Sequence, residues 1–188
     1  GGGSIKKNGL YDTAMKILKD AGLTVFELSG VEPNPKIETV RKGVEICKNE
    51  GIDMVLAIGG GSTIDCSKVV AAGAKYDGDA WDLVLDGSKV KAALPIFDVL
   101  TLSATGTEMD PFAVISDMSK NEKWGTGSPY MVPTMSILNP EYTFTLPKYQ
   151  MVSGIFDIMS HLMEQYFSGE DNNTSDYVIE GLLRSVID

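Results

Sequence analysis

The 188-residue sequence predicts an α/β fold with a doubly wound, mostly parallel sheet. Met54–Ile58 is an unbroken apolar run and Pro95–Leu102 is a second, largely apolar run, so each predicts a buried strand. Helical patterns alternate with strand patterns across short loops, which is typical of parallel sheets. Small and hydroxyl-bearing residues follow both runs. Because ligands of such sheets bind beyond the carboxyl ends of the strands, we expect a site there.

The region before the first buried run has two interpretations at its start. Residues 1–4 read Gly-Gly-Gly-Ser, which is either a flexible linker or a second phosphate loop that has Lys6 and Lys7 beside it. Beyond it, apolar periodicity and prolines predict a helix, a strand, an extended loop and an amphipathic helix, at Ser4–Gly22, Leu23–Leu28, Val31–Pro35 and Ile37–Glu50.

The glycine turn after Met54–Ile58 is the most informative stretch. Gly59, Gly60 and Gly61 follow the strand, Ser62 stands where a helix N-cap is expected, and Asp65 comes three residues later. Glycines let the backbone approach a ligand, and free N–H groups at a helix N-terminus bind anions, so a phosphate or pyrophosphate is the predicted ligand. Simple tight-turn chemistry is the alternative, because the pattern is neither GxGxxG nor a P-loop.

The remaining elements complete a two-part organisation. Tyr76–Lys91 is expected to be irregular, Ala113–Ser116 and Thr134–Leu138 are expected to be strands, and Asp117–Lys123 a polar turn. From Leu146 the strand signals cease. Pro147 is expected to open a helical region, and the helical stretches lie at Gln150–Phe167 and Tyr177–Ile187. We therefore expect a Rossmann-like nucleotide domain at 1–145, lacking its first strand, and the truncated beginning of an all-helical domain at 146–188.

Composition narrows the classes of partner. The net charge of −10 disfavours binding to nucleic acid or to an anionic membrane, and no apolar run approaches the ~20 residues of a membrane span. Cys47 and Cys66 have no CxxC spacing and lie in separate predicted helices, so we expect two buried, reduced thiols and a cytoplasmic protein.

A carboxylate and an imidazole share one face of the predicted helix near the C-terminal end. Asp157 and His161 are four residues apart, which places them one turn apart and suits two ligands of one divalent metal ion. A surface pair or a hydrogen-bonded core histidine is the alternative. Glu164 follows on nearly the same face, either as a partner of the ligands or as a solvated glutamate.

Six ordered segments together resemble the iron-containing (group III) alcohol dehydrogenases, most of all the branch of butanol dehydrogenases and broad-range aldehyde reductases. The segments are GGGSIKKNGLYD at 1–12, GVEPNP at 30–35, AIGGGSTIDCSK at 57–68, WDLVLDG at 81–87, LTLSATGTEMD at 100–110 and DIMSHLMEQYF at 157–167. The resemblance covers essentially the whole chain and makes the linker interpretation of residues 1–4 unattractive.

The resemblance implies a cofactor site and a metal site. Gly59–Ser62, with Gly60 and Gly61 between them, match the pyrophosphate loop, and Asp157 and His161 match the first two ligands of Fe²⁺, or Zn²⁺ in some members. The other implied cofactor contacts are Gly2, Gly3, Ser4, Asn34, Thr101, Leu102, Ser103, Thr105, Val114 and Lys123. The Gly-Ser sequence at 2–4 leaves room for a 2′-phosphate, so NADP(H) is preferred over NAD(H).

The implied reaction is metal-assisted hydride transfer between a nicotinamide and a primary alcohol or its aldehyde, in a homodimer. The family's two later histidine ligands have no counterpart here, so we expect a chain of this length to turn over weakly or not at all. The alternatives are a glycerol-dehydrogenase-like or dehydroquinate-synthase-like enzyme, and a catalytically inert nucleotide-binding module.

Overall fold

The computed structural model describes residues 3–169 and 173–188, which form an α/β unit followed by two helices. Its helices are α1 Ser4–Lys7, α2 Leu10–Asp20, α3 Ile37–Asn49, α4 Gly61–Gly73, α5 Ala80–Leu85, α6 Lys148–Phe167 and α7 Asn173–Ile187. Its strands are β1 Val55–Gly59, β2 Ile96–Leu100, β3 Phe112–Asp117, β4 Glu122–Gly127 and β5 Met135–Ile137.

The parallel sheet has the order β1-β2-β5. Ala57 pairs with Asp98, which in turn pairs with Ser136, so these three residues lie in one row across the sheet. Crossover connections, α4 among them, join the parallel strands, as parallel pairing requires. The expected α/β fold with a parallel sheet is confirmed.

The main core lies between the sheet and helices α3, α4 and α5. Helix α4 packs against β1 and β2 on one side and against α3 on the other. Its apolar residues are therefore buried almost all round the helix, which removes the amphipathic pattern that a surface helix shows. The largest buried core cluster draws on α3, α4, α5, β2 and β3: Ile37, Val40, Val69, Val70, Trp81, Val84, Ile96 and Ile115.

A β-hairpin of β3 and β4 stands beside the parallel sheet. The predicted strand at Ala113–Ser116 is confirmed and belongs to β3, whereas β4 was not predicted: part of it lies in the expected polar turn Asp117–Lys123. Glu122–Gly127 contains two glycines and two charged residues, so it has little strand propensity. Antiparallel pairing with β3 makes it a strand.

Three further expectations are corrected. Leu23–Leu28 is not a strand, because among the described residues no strand pairs with it. Tyr76–Lys91 is not wholly irregular: Asp79 caps α5 by accepting a hydrogen bond from the Trp81 N–H (2.8 Å), and the indole is buried. The helix expected at Ser4–Gly22 is broken at Gly9, whose φ of 81° lies in the left-handed region.

The C-terminal helices agree with the expectation. Pro147 is the N-cap of α6, where the absent proline N–H costs nothing, and α7 begins four residues earlier than Tyr177. The helices α6 and α7 pack against each other. None of the described helices is both long and apolar enough to cross a membrane.

Candidate functional site

The glycine turn joins the carboxyl end of β1 to the start of α4. Gly60 is extended, with a φ of −87° and a ψ of −173°, and its carbonyl accepts the first helical hydrogen bonds, from Thr63 N–H (2.9 Å) and Ile64 N–H (3.3 Å). Gly60 is therefore the N-cap, and the expectation that Ser62 caps α4 is wrong, because the helix begins one residue before it. No side chain caps this helix, which leaves its first N–H groups available to an anion.

The loop at 101–108 lies directly against the glycine turn. The Thr101 N–H donates to the Gly59 carbonyl (3.0 Å) at the start of this loop. A Cβ added to Gly60 would lie 3.3 Å from the Leu102 Cβ, and one added to Gly61 would lie 3.1 Å from the Thr105 Oγ1. Glycine at these positions permits the close approach of the two segments. The structure thus brings the two predicted cofactor loops together at the carboxyl ends of β1 and β2.

Asp65 connects this pair of loops to the hairpin. Its Oδ1 accepts a hydrogen bond from the Thr107 Oγ1 (2.6 Å) and its Oδ2 accepts one from the Val114 N–H (2.9 Å). Burial raises the pKa of the Asp65 carboxyl, and these two donors partly oppose that effect. From the sequence, Asp65 was expected only to support the N-terminal cap of the helix, and its contacts with the hairpin were not predicted.

Lys68, one turn after Asp65, was missed altogether. Its side chain is 0% exposed, and its Nζ lies 2.9 Å from the Thr107 Oγ1, 2.9 Å from the Asp110 Oδ1, 2.8 Å from the Asp110 carbonyl and 2.7 Å from the Phe112 carbonyl. A lysine directly before the apolar run Val69–Ala72, in a helix expected to pack on the sheet, was the available signal, since a buried ammonium requires partners. Asp65 and Lys68 together fix the 107–114 segment on α4.

Two of the remaining predicted cofactor residues, Asn34 and Lys123, are joined by a hydrogen bond beside the hairpin, and a third, Val114, lies on the same face of it. The Lys123 Nζ donates to the Asn34 Oδ1 (2.7 Å), and Asn34 adopts a left-handed conformation with a φ of 53°. In the hairpin register Lys123 is paired with Ser116. Ser116 comes two residues after Val114 in β3, so Val114, Ser116 and Lys123 lie on the same face of the hairpin. The hydrogen bond of Val114 to Asp65 makes this group continuous with the two loops. Ser103, which was predicted with them, is exposed in the 101–108 loop.

The N-terminal residues of the predicted cofactor set are not joined to the rest. Gly2 lies outside the described residues. Gly3 is the N-cap of α1 and Ser4 is exposed, and the nearby side chains of Lys6 and Tyr11 both donate to Glu27 (2.6 Å each). These hydrogen bonds lower the pKa of Glu27. Within residues 3–169 and 173–188, no hydrogen bond or ion pair joins Gly3 or Ser4 to the other predicted cofactor residues.

Asp157 and His161 lie one turn apart on α6, as the spacing predicts. The His161 Nε2 is 3.7 Å from the Asp157 Oδ2, and the His161 Nδ1 is 4.0 Å from the Glu164 Oε2. The Asp157 Oδ2 is buried but has no hydrogen-bond partner among the described residues, although the side chain as a whole is 40% exposed. A carboxylate with an unsatisfied oxygen and an imidazole beside it fit two ligands of a divalent ion. No cluster of three or more potential metal-ligating side chains occurs in the described part of the chain.

Gly154 brings this face of α6 to the 101–108 loop. A Cβ added there would lie 2.6 Å from the Ser103 carbonyl oxygen, so the helix and the loop backbone are in close contact. Gly154, Asp157 and His161 are spaced i, i+3, i+7 and therefore share one helix face. The predicted metal pair thus follows directly along the face that approaches the loop.

The close approach at Gly154 is testable by substitution. We expect Gly154→Ala to lower the free energy of unfolding by about 1–2 kcal/mol, because overpacking against backbone exceeds the gain in helix propensity. Gly181→Ala is the matched control in α7, where an added Cβ meets nothing within 4 Å. It should stabilise the protein by about 0.5–1 kcal/mol. Urea denaturation measures both, and equal stabilisation by the two alanines would contradict the packing of α6 on the loop.

Several known proteins are similar to this chain in sequence and in structure. The family model "Iron-containing alcohol dehydrogenase" matches residues 1–140. NADH-dependent butanol dehydrogenase A of Clostridium acetobutylicum is 59% identical over 188 residues, which are 100% of this chain and 48% of the relative. The NADPH-dependent aldehyde reductase YqhD of Escherichia coli is 39% identical over 192 residues, covering 100% of this chain and 49% of YqhD.

A solved structure gives the same result for the fold. NADH-dependent butanol dehydrogenase A of Thermotoga maritima superposes with a TM-score of 0.96 at 48% identity, covering 99% of this chain and 47% of that one. The chain therefore spans about half the length of the relatives it matches. The family model covers most of the chain, and these relatives are 59% and 39% identical to it in sequence. The chain belongs to the iron-containing alcohol dehydrogenase family.

Proposed function

We propose that this protein is an oxidoreductase that interconverts a primary alcohol and its aldehyde by metal-assisted hydride transfer with a nicotinamide cofactor. One observation carries the proposal: the glycine turn at Gly59–Gly61 and Gly154 of α6 both contact the 101–108 loop. In this proposal the anion site at the start of α4 and the metal ligands of α6 would therefore both lie beside the 101–108 loop. Within this scheme, residues 1–145 bind the cofactor and 146–188 begin a helical metal-binding domain.

In this proposal the main contacts to the cofactor come from backbone N–H groups. The free N–H groups at the start of α4 would bind the pyrophosphate, and Ser62 in the first turn would support them. The residues of the 101–108 loop would contact the ribose and nicotinamide portions, and Lys123 would add positive charge from the hairpin. The sequence-based preference for NADP(H) stays a prediction, whereas the relative with the higher identity carries NADH in its name, which favours NAD(H).

The metal site in this proposal consists of the Asp157 carboxylate and the His161 imidazole, with Fe²⁺ or Zn²⁺ as the ion. When bound, a divalent ion supplies Lewis-acid polarisation of a carbonyl oxygen, and the nicotinamide supplies or accepts the hydride. The chain's own contribution is orientation: Gly154 and Ser103 fix the distance between α6 and the loop, and Glu164 lies near the His161 Nδ1.

Location and assembly belong to the same proposal. Cys47 and Cys66 are buried and unpaired, and burial raises the pKa of the Cys66 thiol to about 12. Such thiols are compatible with the reducing cytoplasm. We propose a cytoplasmic enzyme that forms a homodimer, which sedimentation of the purified protein would test.

Cofactor binding without turnover is a second candidate function. The observation in its favour is that the described residues hold only two predicted ligands, and His161 is 54% exposed. Two protein ligands seldom hold a catalytic ion firmly. Saturable binding of NADH with no reduction of butanal, even with added Fe²⁺ or Zn²⁺, would favour this candidate over the first. Reduction of butanal but not oxidation of glycerol would favour the first over a glycerol-dehydrogenase-like activity.

The test is a fluorescence titration of the full chain with NADH and with NADPH. We expect saturable binding, weakened about tenfold by Lys123→Met because a charged hydrogen-bonding group is lost from the site. Lys91→Met, at an exposed lysine outside the site, is the control and should bind as the unmodified chain does. Equal weakening by both variants would indicate a general charge effect, and absence of binding to either nucleotide would contradict the proposal.

A further inference from the structure

Asp98 is a buried carboxyl group that the proposed function does not use. It lies in the middle of β2, paired with Ala57 on one side and with Ser136 of β5 on the other, and it is 1% exposed. Its Oδ2 lies 2.6 Å from the Ser136 Oγ, whereas its Oδ1 is buried with no hydrogen-bond partner among the described residues. A buried carboxylate with an unsatisfied oxygen is costly, so this arrangement requires an explanation.

The hydrogen bonds of Ser136 determine where the proton must be. The Ser136 Oγ is 2.6 Å from the Asp98 Oδ2 and 2.9 Å from the Glu108 carbonyl oxygen. A hydroxyl has one proton to donate, and a carbonyl oxygen can only accept. Two full two-centre hydrogen bonds form only if Ser136 donates to Glu108 and accepts from Asp98, since otherwise one proton is shared between two acceptors. Asp98 must then carry a proton on Oδ2.

The charges around Asp98 are compatible with this neutral form. Burial raises the pKa of Asp98 and the nearby Glu108 carboxylate adds to the rise; a hydrogen bond donated by Ser136 to the ionised form, and Lys68 of α4, oppose it. Lys68 is not an ion-pair partner of Asp98, because its Nζ is bonded to Thr107, Asp110 and Phe112. A neutral carboxyl can leave its carbonyl oxygen unpaired at far lower cost than a carboxylate can.

We propose that Asp98 is a neutral carboxylic acid in the native protein and that its proton anchors the Glu108 end of the 101–108 loop to the sheet through Ser136. The Thr101 end of the same loop is held by Gly59, so the loop is fixed at both ends. Ionisation of Asp98 turns the Ser136 hydroxyl towards the carboxylate and releases the Glu108 carbonyl. Asp98 is thus a positioning residue for this loop, and its effect on cofactor affinity rests on the proposed function.

The direction of the pH dependence follows from the proton. A carboxyl whose pKa is raised by folding contributes stability that is fully present below its unfolded pKa, about 4 for aspartate. That stability is lost as pH rises through the folded pKa. Above the folded pKa, the free energy of unfolding no longer changes with the ionisation of this group. For a carboxylate whose pKa is lowered by an ion pair, the stability is instead lost as pH falls.

Asp98→Asn tests the proposal, because the amide can donate to Ser136 but cannot ionise. We expect the denaturation midpoint of the unmodified chain to fall, relative to that of Asp98→Asn, as pH rises above about 4. We also expect a carboxylic-acid carbonyl band in the infrared difference spectrum of the two proteins at neutral pH. Asp53→Asn, at an exposed aspartate, is the control and should give neither effect.

The outcomes separate this inference from the proposed function. A midpoint difference that stays constant above pH ~5, together with no carboxylic-acid band, would show that Asp98 is ionised and would overturn the inference. Should Asp98→Asn fail to fold, the same infrared comparison with Ser136→Ala, which should shift the band by removing the acceptor of the proton, decides the question. If the unmodified chain binds no nicotinamide yet shows the pH effect, the proposed function fails and the inference stands.

Discussion

Lys68→Met is expected to lower the free energy of unfolding by about 2–4 kcal/mol, because the polar contacts of a fully buried ammonium are lost, although its ion-pair partner Asp110 is 32% exposed. Methionine fills nearly the same volume as lysine, so the loss comes from the polar partners and not from a cavity. The Phe112 carbonyl would lose its side-chain donor and the Asp110 carboxylate would keep only the Phe112 N–H, while the Asp65 carboxylate would lose a favourable positive charge. Of the hydrogen bonds that join the 107–114 segment to α4, those of Asp65 would remain.

Urea denaturation followed by circular dichroism measures this effect. Lys42→Met, at an exposed lysine of α3, is the matched control, and its effect should stay within about 0.5 kcal/mol. A loss for Lys68→Met that is no larger than the control's would mean that the ammonium contributes little, as is found when a buried ion pair only offsets its own desolvation.

The parts of the fold that could be predicted are those that local sequence determines. The run Met54–Ile58, the three glycines and the apolar helix after them specify β1, the turn and α4 without help from the rest of the chain. Strand β4 could not be predicted, because Glu122–Gly127 becomes extended through pairing with β3 and not through its own residues. Conversely, Leu23–Leu28 has the composition of a strand but meets no neighbouring strand among the described residues.

The candidate site divides in the same way. Backbone sites such as the glycine turn are visible in the sequence, since glycine and the strand–helix order specify them. The partners of Asp65 and Lys68 are 39–49 residues away along the chain, so only folding identifies them. The same holds for Asp98, which the sequence shows as one polar residue in an apolar run. The sequence indicates most of the helices and strands, but it does not indicate which polar groups pair with each other across long stretches of the chain.

His161→Ala is expected to weaken metal binding by about 100-fold or more while leaving NADH binding unchanged, if the Asp157–His161 pair is the metal site proposed above. The imidazole supplies one of the two predicted ligands, and its removal leaves a single carboxylate on that face of α6. The loops at Gly59–Gly61 and 101–108, which are proposed to bind the nucleotide, do not include the histidine. Titration with Co²⁺ followed by its visible absorption measures the first affinity, and nicotinamide fluorescence measures the second.

Ser160→Ala is the control for this substitution, because it changes the adjacent exposed residue of α6 and removes no predicted ligand. It should bind metal and NADH as the unmodified chain does. Equal metal affinity in His161→Ala and Ser160→Ala would exclude His161 as a ligand. A chain that binds NADH but no metal, even unmodified, would show that Asp157 and His161 are insufficient to hold an ion. Cofactor binding without turnover would then be the better account of this chain, because hydride exchange with an unpolarised carbonyl lacks the electrostatic stabilisation that the reaction needs.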